Sequence, residues 1–382
     1  MRIGIDARMY GPKVGGAGIG RYIEQLILNL QKIDDDNEYV VFLKKENFKL
    51  CPQPNKRWEK VVADIHWYSM AEQTRLPRII DKFKLDIVHF PHFNVPLRLK
   101  TPFVVTIHDL IMLDQPWSAR ASTRNRLFFA LKRFGYKKTL AHATKNARKI
   151  VTISEHVKNQ IIHRLGVSQS RVKVVYNGID SAVISAPKQN KNSSFIGSRD
   201  FPIQTPFMLN VGNSYPHKNL ETLLHAFSFF VHEFPDVSLV LVGPQNEFTD
   251  RLKQEAREID IPPDRIFFLG FISDPQLSEL YGAAKFYIIP SKLEGFGIPP
   301  LEALQHGTPV AASRASSIPE VLGSAAVYFD PSDIESMVEA MRTLLQNNSE
   351  CTRVLTESHD VLKRYKWSDN ARALLDIYKT SV

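Results

Sequence analysis

The sequence predicts an α/β fold of two Rossmann-like domains facing an interdomain cleft, on three observations. Short apolar runs alternate with longer segments of helical spacing along nearly the whole chain. The alternation breaks once, between Ala186 and Pro206, in a stretch rich in Lys, Asn, Ser, Gly and Pro, and then restarts. Charge changes sign there too: 34 Lys and Arg stand against 17 Asp and Glu in residues 1–200, and 15 against 23 in residues 201–382. We divide the chain into an N-terminal, acceptor-side domain (1–185), a linker (186–206), a second domain (207–365) and a final helical segment (366–382) able to return to the first domain.

In order, Arg2 to Asp6 reads as a strand, followed by a glycine-rich loop and a helix from Arg21 to Gln31 with Tyr22, Leu26 and Leu30 on one face. Strands are expected at Tyr39 to Leu43, Ile87 to Phe90, Val104 to His108, Lys149 to Ile153 and Val172 to Tyr176. Helices over Thr74 to Phe83, Arg120 to Lys145 and His156 to Arg164 would cover them. After the linker, strands at Phe207 to Val211, Ser238 to Val242, Ile266 to Phe268, Phe286 to Pro290 and Pro309 to Ser313 alternate with helices in the same way. The predicted helices Ile334 to Asn347, Ser349 to Arg364 and Trp367 to Lys379 end the chain.

With 382 residues the chain can bury two cores. Cys51 and Cys351 are its only cysteines and are far apart, which argues against a disulfide framework or a cysteine metal site. The N-terminal residues carry Asp6 and Arg8, and no run approaches about 18 apolar residues, so neither a secretion signal nor a membrane span is expected. From Trp117 to Ile153 there is no Asp or Glu, and Arg124 to Lys138 reads RNRLFFALKRFGYKK. Such a basic helix packs into its domain with a solvated face, or lies on an anionic membrane surface. No recognition motif accompanies the charge, and nucleic acid is not expected as a partner.

The densest chemistry lies in SKLEGFGIPPLEALQHGTPVAAS, Ser291 to Ser313. It follows an apolar strand, and Pro299 and Pro300 suit the first positions of a helix. Gly295 and Gly297 leave room for a ligand, and Glu294 and Glu302 flank the junction, where carboxylates can hold sugar hydroxyls and backbone N–H groups can hold phosphates. The plainer reading is a turn whose glutamate complements a helix start. In VGNSYPHKN, after the first strand of the second domain, Lys218 is placed to neutralise a diphosphate and Asn219 to cap the next helix. His108 and Asp109 end the strand of VVTIHDL, where side chains face a crevice above a parallel sheet. Gly15, Gly16 and Gly18 match neither the dinucleotide nor the P-loop fingerprint, and instead let the loop approach an acceptor or phosphates. Asp34, Asp35 and Asp36 contain a DxD spacing but sit between a helix and a strand, where a solvated turn is expected. No other grouping argues for a metal.

Taken together, GGAGIGRY, TIHDL, ITISEHVK, VVYNGID, VGNSYPHKNL, LVLVG, FLGFISDPQLSELYGAA, EGFGIPPLEA, GTPVAAS and SSIPEVLGSAAVYFDPSD resemble glycosyltransferase family 4 across almost the whole chain. That family comprises retaining sugar-nucleotide transferases of the GT-B fold, and the overall pattern looks like bacterial mannosyltransferases of polysaccharide or O-antigen assembly. The resemblance implies catalytic roles for His108, Lys218 and Glu294. It implies a donor pocket drawn from Gly16, Gly18, Gly212, Asn213, Lys218, Glu294, Gly295, Phe296, Gly297, Ile298 and Glu302, and an acceptor side at Gly15, Gly16 and Asp109. Many relatives carry Arg where this chain has Asn213 or His217, which removes a permanent cation from the donor side. No cofactor is implied beyond a nucleotide sugar as donor substrate, with GDP-mannose first. The acceptor would be a glycan or lipid-linked oligosaccharide, and the location cytoplasmic or peripheral on the inner membrane face. Competing readings are an enzyme like the UDP-N-acetylglucosamine 2-epimerases, and a non-catalytic nucleotide-sugar-binding subunit of a glycan assembly complex.

Overall fold

The computed structural model of the chain describes residues 1–115, 126–179, 196–198 and 201–382. Most of the linker expected at 186–206 and the start of the helix expected at 120 lie outside them. The chain forms two compact units: one of Met1–Leu110, Thr123–Gly178 and Lys366–Val382, the other of Ile111–Ser122 and Ile179–Tyr365.

Among the described residues the first unit holds one parallel sheet. Its strands are β1 (Arg2–Asp6), β2 (Glu38–Leu43), β3 (Trp58–Val62), β4 (Ile87–Phe90), β5 (Phe103–Ile107), β6 (Lys149–Thr152) and β7 (Val172–Val174), in the order β3-β2-β1-β4-β5-β6-β7. β4 and β5 are buried throughout, the pattern of strands covered on both faces. β3 is not foreseen by the apolar pattern because WEKVV is an edge strand paired only with β2, with polar residues at its outer positions. It is anchored by Trp58, which stacks on Tyr39 at 4.0 Å. The helix expected over Thr74 to Phe83 is instead Met70–Thr74, Leu76–Ile80 and a 3-10 turn at Asp81–Phe83, because Pro77 interrupts continuous backbone bonding.

The core of this unit gathers Ile3, Ile5, Tyr22, Leu26, Leu30 and Val41 with Trp367, Leu374 and Tyr378 from the final helix, Trp367–Lys379. Two contacts seat that helix. A Cβ on Gly178 would lie 2.2 Å from the Trp367 nitrogen, so only glycine lets the chain pass there. Asn370 Nδ2 donates to the Tyr176 carbonyl at 2.8 Å.

The second unit repeats the plan with β8 (Phe207–Val211), β9 (Ser238–Val242), β10 (Ile266–Leu269), β11 (Phe286–Ile289), β12 (Val310–Ser313) and β13 (Val327–Phe329), ordered β10-β9-β8-β11-β12-β13. The helix Leu220–Glu233 buries Leu223, Leu224, Phe227 and Phe230 against it. In each sheet the strand order reverses once, between β1 and β4 and between β8 and β11. The carboxyl ends of those strand pairs are where an open parallel sheet leaves a crevice for a ligand.

Two local expectations are corrected. Asn219 does not cap the following helix: it sits at φ 60°, and its side-chain amide bridges the carbonyls of Pro290 (3.1 Å) and Pro331 (2.7 Å). The Asp34 to Asp36 run is not simply a solvated turn. Asp34 is buried, with Oδ1 accepting the Asp36 and Asn37 N–H groups and Oδ2 accepting from the Asn37 amide and the Tyr39 hydroxyl.

Candidate active site

The β8 and β11 loops meet at the switch point of the second sheet. Lys218 ends a 3-10 turn, Pro216–Lys218, directly after β8, and its Nζ lies 2.6 Å from Glu294 Oε1, 76 positions on in the loop after β11. The Lys292 N–H donates to the His217 carbonyl at 2.9 Å and fastens one loop to the other. Glu294 is held at three atoms. Ser291 Oγ donates to its Oε1 at 2.7 Å, its own N–H donates to Ser316 Oγ at 2.9 Å, and its carbonyl accepts from the hydroxyls of Ser316 and Ser317. Burial works to raise the Glu294 carboxyl, but Lys218 and Ser291 outweigh it and leave the group below the usual carboxylate range. The result is an ionised, desolvated pair. His217 beside it is buried with Nδ1 unpartnered among the described residues, and burial and Lys218 push its ring down to about 4.

Glu294 is followed by Gly295, Phe296 and Gly297 and then the helix Ile298–Gln305. Gly297 takes φ 93° at the helix start, a conformation that costs an L-residue about 1–2 kcal/mol. Phe296 is buried edge-on against Tyr365, with ring centroids 5.2 Å apart. The helix begins one residue earlier than the prolines suggest, and Pro299 and Pro300 fall at its second and third positions. Neither has an N–H, so fewer backbone donors point into the loop than a helix start normally supplies. Glu302 is buried in the second turn rather than at the positive end, and its Oε2 accepts from the Tyr281 hydroxyl at 2.9 Å. Near the end of β8, the Gly212 N–H donates to the Val242 carbonyl, and Asn213 Oδ1 accepts the Tyr215 N–H at 3.2 Å. A Cβ on Gly243 would lie 1.8 Å from the Gly212 carbonyl, so the glycine of LVLVG lets these two strand ends close together.

In the first unit the glycine-rich segment expected as a loop instead forms a short helix, Pro12–Gly15, and a π-helical turn, Gly16–Gly20, and its glycines divide by role. A Cβ on Gly15 would lie 2.0 Å from the Met9 carbonyl, and one on Gly20 would lie 2.2 Å from that of Gly11; these glycines let the loop fold on itself. Gly16 and Gly18 meet nothing within 4 Å. Gly15, expected on the acceptor side, has a packing reason to be glycine, whereas Gly16 and Gly18 have open space beside them. His108 Nε2 lies 2.8 Å from the Pro91 carbonyl, and the ring packs edge-on to Tyr22 at 4.8 Å. Burial lowers it to about 4, so it is a neutral imidazole. Asp109 beside it is half-buried.

Residues 16–183 match the family model described as Glycosyltransferase Family 4, and residues 194–361 match Glycosyl transferases group 1. The chain is 24% identical over 377 residues to O-antigen chain mannosyltransferase B of Escherichia coli, covering 95% of this chain and 96% of that protein. It is 26% identical over 343 residues to O-antigen chain mannosyltransferase RfbU of Salmonella typhimurium, covering 87% and 88%. Its fold superposes on HepE of Anabaena, solved in complex with UDP-glucose, with a TM-score of 0.75 at 15% identity over the whole of both chains. The chain is a glycosyltransferase of the GT-B fold, related to family 4.

Motif reading alone missed the residues that hold this glycosyltransferase's carboxylates. Ser316 and Ser317 lie inside the SSIPEV stretch, but only the folded chain shows that both bond to Glu294. Tyr281 lies inside the FLGFISDPQLSELYGAA stretch, but nothing in that stretch points its hydroxyl to Glu302, and Ser291 is an ordinary strand-end serine. Among the described residues no group of three or more His, Cys, Asp or Glu gathers as a metal site. No described helix is long and apolar enough to cross a membrane.

Proposed function

We propose that the enzyme is a retaining hexosyltransferase that moves mannose from GDP-mannose to a hydroxyl of a glycan or lipid-linked oligosaccharide. The observation that carries this reading is the desolvated Lys218–Glu294 pair at the carboxyl ends of β8 and β11. Lys218 has three N–H donors, and the two not aimed at Glu294 suit the oxygens of a diphosphate. Glu294 Oε1 is taken up by Lys218 and Ser291, leaving Oε2 for a hydroxyl of the transferred sugar. Glu302, oriented by Tyr281, takes the ribose hydroxyls. The loop N–H groups of Gly295 to Ile298 lie against the donor, and in the first unit the open backbone of Gly16 and Gly18 leaves room to border a ligand.

In the reaction, the bond from the anomeric carbon to the diphosphate oxygen breaks while the acceptor oxygen bonds to that carbon on the same face. The acceptor proton passes to the departing phosphate oxygen. Lys218 and loop N–H groups stabilise the charge that develops there. In the first unit, neutral His108 gives its Nε2–H to the Pro91 carbonyl, so only its Nδ1 lone pair is left to accept from a ligand hydroxyl. Glu294, bound to a cation and a serine, positions the sugar and balances charge rather than attacking it. The names of the two O-antigen relatives support mannose, and the UDP-glucose of HepE makes UDP-glucose the second donor to try.

The test is a matrix of GDP-mannose, UDP-glucose and UDP-N-acetylglucosamine against glycan and membrane acceptors, with product mass, linkage and anomeric configuration determined. An inverted product refutes retention, and donor epimerised without acceptor supports the epimerase reading. Transfer only from a UDP donor refutes GDP-mannose.

A membrane-surface role rests on the helix Arg126–Asn146, where Leu131 and Phe134 are each 65% exposed beside exposed Lys132, Arg133, Lys137 and Lys138. This reading places the enzyme in the cytoplasm at the inner membrane face. Neutralising Arg124, Arg126, Lys132 and Arg133 should reduce sedimentation with phosphatidylglycerol vesicles; unchanged sedimentation counts against the surface. Arg124 lies outside the described residues.

A further inference from the structure

The first sheet has its own switch point, between β1 and β4, and beyond those strand ends lies a polar network that the transfer reaction above does not use. Arg8, two residues past β1, is 1% exposed. Its guanidinium donates to both oxygens of Asp6 (2.8 and 2.7 Å), to Glu72 Oε1 (2.7 Å) and to the Ile65 carbonyl (3.3 Å). Replacing a buried charge cluster with packed apolar groups is often neutral or stabilising, so stability alone gives a weak reason for one.

Position gives a stronger one. Glu72 Oε2 accepts the Tyr68 N–H at 2.9 Å, and Glu72 Oε1 accepts Asn94 Nδ2 at 2.6 Å. Tyr68 sits at φ 60°, a backbone state that L-residues seldom adopt, and its N–H is pinned by that carboxylate. Asn94 turns its NH₂ to Glu72, so its Oδ1 faces His92 Nδ1 at 2.6 Å. That nitrogen must then carry the proton, and in the neutral ring Nε2 keeps a lone pair. Burial, with His108 nearby, lowers His92 to about 3, which keeps the ring neutral. No described residue hydrogen-bonds to its Nε2.

The network thus sets two rings from different loops into one arrangement. Tyr68 and His92 stand 6.1 Å apart at 69°, and Phe93 lies 6.0 Å from Tyr68 in a near-parallel stack. Tyr68 is 62% exposed although its backbone is anchored. An exposed, pre-set aromatic face beside a neutral hydrogen-bond acceptor suits a sugar ring, which presents C–H groups to the π face and O–H groups to the imidazole. It does not suit a phosphate, because Arg8 is spent on two carboxylates and a carbonyl.

We propose that Tyr68 and His92 form the platform that binds the terminal sugar of the acceptor, held in place by Asp6, Arg8, Glu72 and Asn94. This deepens the proposed transferase function and rests on it for the identity of the bound sugar as acceptor.

The experiment is saturation-transfer NMR of the full chain with methyl α-mannoside, methyl α-glucoside and methyl β-galactoside, with GDP-mannose and UDP-glucose measured in parallel. We expect saturation of ring protons of at least one glycoside in the wild type, a loss of about fivefold or more in Tyr68→Ala and in His92→Ala, and retention in Tyr68→Phe. Donor saturation should be unchanged in all three variants. Glu72→Gln tests the positioning role: if it folds, it should lose glycoside saturation while both binding side chains remain. If it does not fold, the exposed Tyr68→Ala variant decides. Equal glycoside saturation in wild type and Tyr68→Ala, or none in the wild type, overturns the platform. Absence of donor saturation everywhere would instead count against the transferase reading, and the glycoside result would still decide this one.

Discussion

At the scale of single residues, the second unit's chemistry turns on one pair. Lys218 and Glu294 are each largely withdrawn from water and lie 2.6 Å apart, so removing either leaves the other buried without its partner. Lys218→Ala should lower kcat/KM about 10- to 1,000-fold, or roughly 1.4 to 4 kcal/mol of transition-state stabilisation. Normal steady-state transfer by a folded variant would remove the lysine from the mechanism. The pair also has a pH signature. Because the Glu294 carboxyl is held below its ordinary value of 4.5, its contribution to stability is fully present above that value and is lost as pH falls through the lower, folded-state value. Glu294→Gln should therefore cost stability in urea melts at pH 7 and progressively less as the pH is taken below 4.5; a cost that does not change with pH down to acid unfolding would mean that the charge is not what holds the loop. His108, lowered to about 4, should add no inflection to kcat/KM between about pH 5.5 and 8. An inflection near 6.5 that disappears in His108→Asn would contradict its burial.

At the scale of elements, glycines that look alike in sequence do different work. In the short helical turns before the helix Arg21–Ile33, Gly15 is pressed against the Met9 backbone and Gly18 faces open space. Gly15→Ala should cost about 1–3 kcal/mol by overpacking, whereas Gly18→Ala should stay within about 0.5 kcal/mol of the wild type. Thermal melts separate the two, and equal losses would mean that the loop packs otherwise. If Gly18 borders a ligand as proposed, its alanine variant should lose transfer without losing stability. The periodicity of apolar residues made most strands and helices legible, since burial on a sheet or helix face leaves a local signature. It missed β3, whose edge position leaves polar residues at its outer positions, and it expected one helix over Thr74 to Phe83 where the chain forms three short pieces, Met70–Thr74, Leu76–Ile80 and Asp81–Phe83. It also gave Asn219 the ordinary role of a cap, although that side chain bridges Pro290 and Pro331, 71 and 112 positions away.

At the scale of the molecule, the final helix Trp367–Lys379 belongs to the first unit's core although the second unit precedes it in the chain. Truncation after Tyr365 would strip Trp367, Leu374, Ile377 and Tyr378 from that core. At about 1.5–3 kcal/mol for each large apolar side chain, that loss rivals the usual net stability of about 5–15 kcal/mol. Limited proteolysis of the truncated chain should cut within residues 1–178 while fragments of the second unit persist; equal resistance of both units would refute the bracing role. By itself, the sequence determined two α/β units and the loops that carry Lys218, Glu294 and Glu302, because strand and helix patterns and strand-end loops follow from residues close together in the chain. Only the tertiary structure decided which atoms meet: Ser316 and Ser317 on Glu294, Tyr281 on Glu302, Tyr378 on His89 across 289 positions, and Tyr68 with His92 through Glu72. Those pairings arise when distant segments close on one another and buried polar groups must find partners, a demand that leaves no periodic trace in the chain.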